Sequence, residues 1–159
     1  MNLATPGDGV GAGNTGNWST VIANWDNGSS HVAWPTTGTD NDAIFSNSAG
    51  GATTVVTAVT ANDLIFITPT SVGGSSSVTL NGVSPGIESR RTATITAPLR
   101  ATTGFAKRGS GLLTIDGTTS GAAITGTVVV EQGQLALTGG TSALGLADLV
   151  VESARKPSF

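Results

Sequence analysis

Short apolar runs separated by turn residues dominate the chain from about residue 51 onward. The runs are 53–59, 64–68, 77–80, 92–96, 112–115, 127–131, 134–137 and 148–151. Several alternate apolar and polar positions, as in Thr92-Ala93-Thr94-Ile95-Thr96. That is the period of a half-buried strand. Gly73-Gly74, Asn81-Gly82, Asp116-Gly117 and Gly139-Gly140 punctuate the runs. Asn-Gly and Asp-Gly also mark two-residue hairpins. A meander, however, would start a new strand directly after each pair. Asp116-Gly117 is instead followed by Thr-Thr-Ser-Gly-Ala-Ala before Ile124, a spacing that suits a corner and a loop.

The runs also repeat weakly. GLLTIDG at 111–117 and GQLALTG at 133–139 both read Gly-x-Leu-x-apolar-x-Gly and lie 22 residues apart. Ser77-Val-Thr-Leu-Asn-Gly82 is a degenerate third copy. A period near 20 residues with Gly at corners is a solenoid signature. The residues therefore predict an all-β chain folded as a parallel β-solenoid of about five coils over residues 51–151.

The N-terminal third differs. Residues 1–17 read as a flexible Gly-rich arm. Residues 18–50 hold all three tryptophans, Trp18, Trp25 and Trp34, among turn formers, and predict an irregular cap with one or two short strands. Residues 152–159 read as a tail.

Composition sharpens this picture. Gly, Ala, Ser and Thr exceed half of the 159 residues, and only 4% are aromatic. Such side chains suit a thin stack in which each coil covers its neighbour. Helix formers such as Glu, Lys and Met are scarce. The formal net charge of −3 argues against nucleic acid as a partner. No apolar run approaches the roughly 18 residues of a membrane-spanning helix, so no membrane insertion is expected. The opening residues have no basic start and no apolar core, unlike a secretory signal. With no Cys there is no disulfide framework or thiolate metal site.

The stretches GFAKRGSGLLTIDG at 104–117 and ITGTVVVEQGQLALTG at 124–139 resemble the autotransporter-associated β-strand repeat of secreted bacterial proteins. Lys107, Gly109, Gly111, Leu113, Ile115, Gly117, Gly126, Val128, Val130, Gly133, Leu135 and Leu137 take that pattern's places. Ile124 or Thr125 stands where the pattern usually has an aromatic. Asn17-Trp18-Ser19 through Asn24-Trp25, then Asp42-Ala43-Ile44-Phe45, resemble the segment preceding such repeats. The resemblance implies a right-handed parallel β-helix, export, and a passenger, adhesin or matrix role in an extracellular or cell-surface setting. The single clear repeat, and an end at Phe159, lead to the expectation of a free subunit or a fragment.

Candidate chemistry is sparse. His31, the only histidine, is expected in an exposed loop with no nucleophile to activate. Asp40 and Asp42 flank Asn41 in a turn-like segment, which suits a turn better than a carboxylate pair or a Ca²⁺ site. Gly7-Asp-Gly-Val-Gly-Ala12 fits a loose nucleotide pattern without the strand and helix that mechanism needs. Asn17 and Asn27 open glycosylation sequons of a kind that arises by chance. No enzyme and no cofactor are expected.

Charge placement is the strongest functional signal. Residues 1–63 carry five acids, among them Asp26, Asp40 and Asp42, and no Lys or Arg. Residues 90–108 carry five bases, Arg90, Arg91, Arg100, Lys107 and Arg108, and no acid. In a stack this becomes an axial charge separation. The first expectation is therefore head-to-tail self-assembly into a filament or matrix, with these residues as contacts and the protein itself as partner. The alternative is a carbohydrate-binding or adhesive module of a larger passenger, with surface glycans as partner. There Trp18, Trp25 and Trp34 form either a cap over the open coil or a glycan platform.

Overall fold

The computed structural model describes residues 15–38, 40–46, 49–117, 123–139, 144 and 147–152. The nucleotide-like motif at 7–12, and almost all of the proposed arm and tail, lie outside them. The chain enters on β1 (Gly16–Trp18) and makes a small antiparallel hairpin of β2 (Trp25–Asp26) and β3 (His31–Val32). It then winds. Each full coil carries three strands: β4 (Ala43–Phe45), β5 (Gly51–Val55) and β6 (Val59–Ala61); β7 (Leu64–Phe66), β8 (Thr70–Gly73) and β9 (Val78–Leu80); β10 (Gly86–Ser89), β11 (Ala93–Ile95) and β12 (Leu99–Ala101); β13 (Gly104–Arg108), β14 (Leu112–Asp116) and β15 (Ala123–Ile124). β16 (Thr127–Val130), β17 (Gln134–Thr138) and β18 (Asp148–Val151) follow.

Strands one coil apart pair in parallel and build three faces. The first sheet runs β1-β5-β8-β11-β14-β17, the second β4-β7-β10-β13-β16-β18, the third β6-β9-β12-β15. Val59 lies beside Val78 and Val78 beside Leu99, so a coil takes about twenty residues, the spacing read from the sequence. The described residues contain no helix. The protein is thus a parallel β-solenoid of about five coils.

Alternation decides what each strand buries. Inward positions stack into apolar ladders, such as Ala61, Leu80, Ala101 and Ile124 on the third sheet. Outward positions on the same strands are Thr60, Thr79, Arg100 and Ala123. Small and β-branched residues suit this because neighbouring strands are only about 4.8 Å apart. Corners are tighter still. Gly109 turns with φ 75°. At Gly111 a Cβ would strike the Arg91 backbone of the preceding coil. The Gly-x-Gly of the repeat is thereby explained as close approach between coils.

Two sequence expectations change. The run 53–59 is two strands, β5 and β6, with a corner at 56–58. His31 is not in a loop: it lies on β3, half-buried, opposite Asp26.

Candidate functional site

The stretch after Trp18 replaces what would be a third-sheet strand. Instead of pairing along the stack, residues 19–42 fold the hairpin over its end. Trp18 is fully buried, and Trp25 and Trp34 are nearly so. Their ring centroids lie 4.6 to 5.1 Å apart, in tilted and edge-on contacts. Phe45 packs edge-on beneath Trp18 and Trp25. It stacks in turn on Phe66 of the next coil, at 4.9 Å and 10°. An aromatic column thus descends from the end of the molecule into its core. Such pairs contribute about 0.5–1.5 kcal/mol each beyond the area they bury.

The cap also covers backbone. Trp34 Nε1 donates to the Thr60 carbonyl of β6, the edge strand of the third sheet, at 2.8 Å. Val56 N donates to Trp18 O, and Asn62 N to Asn41 O. A free sheet edge invites pairing with other chains; this one is partly occupied from within. The tryptophans therefore form a cap, with their rings packed against one another in tilted and edge-on contacts and shielded from solvent.

The charged residues singled out from the sequence scatter. Lys107 is fully buried in an inward ladder position between Ile87 and Val130. Its Nζ donates to the carbonyls of Arg108, Gly109 and Gln132 at 2.7 to 2.9 Å, which uses all three ammonium protons. Burial pushes its pKa below the ordinary 10.5, partly opposed by the Glu88 charge. It is no surface contact, contrary to the sequence reading. Arg108 bridges coils within the molecule, 3.7 Å from Asp63 and 3.3 Å from Glu131. Arg90 pairs with Glu88 of its own strand's end at 2.6 Å. Asp42 accepts from Asn62 Nδ2 at 2.8 Å and from Asp63 N, joining the cap to the coil below. Asp26 caps its own turn through Gly28 N at 2.7 Å. Arg91, Arg100 and Asp40 are exposed. The acids and bases of the proposed axial separation thus meet in part inside one molecule.

A cleft of about 470 Å³ lies between the hairpin and residues 40–44. Its apolar lining includes Val32, Pro35 and the 47% exposed Ile44; its polar lining includes Asn27, Asp40 and Asn41. Trp25 and Trp34 also line it. The tryptophans were expected as either a cap or a glycan platform; the chain carries no periodic signal for this cleft, because the hairpin has no counterpart in the coils. Among the described residues no cluster of three or more His, Asp or Glu is placed to hold a metal ion.

The described residues at the opposite end differ. β17 and β18 are largely exposed, with Leu149, Val150 and Val151 at 47%, 45% and 67%. The class so defined is a parallel β-solenoid with an aromatic cluster capping its N-terminal end. The chain is 31% identical over 146 residues, 89% of its length, to the adhesin BmaC autotransporter of Brucella suis biovar 1 (strain 1330). It spans only 4% of that protein. No protein-family model matches the chain, and no solved structure matches it.

Proposed function

We propose that the chain is a non-catalytic, adhesive section of a bacterial surface adhesin, held outside the cell with an aromatic-capped end. The similarity to an autotransporter adhesin over nearly the whole chain carries this reading, and the stacked-coil fold supports it. On this reading residues 104–139 form one autotransporter-associated β-strand repeat. Its Lys107, Gly109 and Gly111 serve the corner between coils. The test is adherence of beads coated with the whole chain to cultured epithelial cells and to matrix proteins. Saturable binding several-fold above beads coated with an inert protein is expected. Binding equal to the inert control on every surface overturns the reading.

The exposed Leu149, Val150 and Val151 of β18 favour a second reading, head-to-tail assembly of copies, in which that strand seats on another subunit. The covered edge at the capped end weighs against it, as does the internal pairing of Arg90 and Arg108. Sedimentation velocity at low salt separates the two. Concentration-dependent growth into long species supports assembly; a sharp monomer boundary removes it.

A further inference from the structure

We propose that the cleft between the β2–β3 hairpin and residues 40–44 binds a neutral oligosaccharide, an inference that rests on the adhesive reading and names its ligand. Three observations carry it. The first is size: about 470 Å³ lies within the roughly 300–1,000 Å³ of small-ligand sites. The second is an apolar floor. Ile44 stands on an outward position of β4 with nearly half its surface exposed, next to Val32 and Pro35. Such a floor matches the apolar face of a sugar ring.

The third is a rim split between donors and acceptors. Asn27 Oδ1 already accepts from Ser29 N and Ser30 N at 3.1 and 2.9 Å, so its Nδ2 is the group it offers a ligand. Asn41 does the reverse. Its Nδ2 donates to Thr37 O at 3.1 Å, leaving Oδ1 as acceptor. Hydroxyls both donate and accept, so a sugar uses both amides. A purely cationic ligand uses only the acceptors. Charge then sets selectivity. Asp26, Asp40 and Asp42 line the cleft, and no Lys or Arg precedes Arg90 in the chain. A sialylated or uronic sugar therefore meets repulsion that a neutral one does not.

The experiment is an array of neutral and acidic oligosaccharides probed with the whole chain, then calorimetric titration of the best neutral ligand. Two variants test the geometry. Asn27→Asp keeps the oxygen that holds the turn and removes the amide donor. Ile44→Thr keeps a β-branched residue on the strand and removes the apolar floor. Circular dichroism and tryptophan emission are to match the parent in both. The expected result is binding of neutral glycans with little of acidic ones, weakened about tenfold by Asn27→Asp and about fivefold by Ile44→Thr. No neutral glycan bound, or affinity unchanged in both folded variants, overturns the proposal. So does preferential binding of an oligolysine peptide, which would make the site a receptor for basic chains. Bead adherence that persists in both variants leaves the adhesive reading standing with the cleft excluded. Loss of both glycan binding and adherence by the parent chain removes both.

Discussion

Lys107 shows how a single side chain can mislead a sequence reading and then explain a motif. It belongs to a run of five bases and so reads as surface charge. Yet it stands in register with Ile87 and Val130, both buried. That inward parity is visible only once the coil spacing is known. The ammonium is tolerated inside because three carbonyls replace its hydration. Lys107→Met is expected to lower unfolding free energy by about 3 kcal/mol in urea titration, since it leaves buried carbonyls without donors. The pH dependence has a definite sign. Burial holds the folded-state pKa below 10.5, so between that lowered value and 10.5 the unfolded chain binds more protons. Stability is expected to rise with pH across that alkaline window, and Lys107→Met to lack the rise. The window is clean, because the sequence has no Tyr, no Cys and only one other lysine, Lys156.

At the scale of elements, strands inside runs of apolar and β-branched residues were legible, and strands broken by other polar or charged residues were not. β11, β14, β16 and β17 stand where their patterns place them. β8, β10 and β12 went unseen because Ser71, Glu88 and Arg100 interrupt runs of only three or four residues. A strand that short is specified by the coils above and below it more than by its own composition. The aromatic cap was legible as a cap from the crowding of three tryptophans. Its hairpin, its indole bond to Thr60 and its cleft were not, since none of them repeats. The rings differ in polar pairing. Trp34 Nε1 is bonded, whereas Trp18 Nε1 and Trp25 Nε1 are buried with no partner. Trp25→Ala is expected to cost about 3–5 kcal/mol by opening a cavity over Phe45. Trp25→Phe is expected to stay within about 1 kcal/mol of the parent, because it removes the unpaired donor while keeping most of the ring. Urea titration of both variants checks the contrast. Equal losses would mean that the indole itself is needed.

At the scale of the molecule, the two ends are unequal, and that asymmetry follows from where the chain leaves the coil pattern. Near the start, an inserted hairpin seals the stack with aromatic rings. At the other end, the same ladders run out into exposed Leu149, Val150 and Val151. Between them a polar seam along one corner ties successive coils through Asp42, Asp63, Arg108 and Glu131. These pairs are partly exposed and contribute little each; their use is in register more than in strength.

The chain has no cysteine, so paired substitutions can read the register directly. Leu112 lies beside Gln134, and Asp116 beside Thr138, on outward positions of β14 and β17. Parallel neighbours about 4.8 Å apart fall within disulfide reach. Mild oxidation is expected to close Leu112→Cys with Gln134→Cys, and Asp116→Cys with Thr138→Cys, each in near-complete yield. Leu112→Cys with Thr138→Cys is expected to stay open. Closure of that crossed pair in place of the two in-step pairs would mean antiparallel neighbours, and no stack of coils.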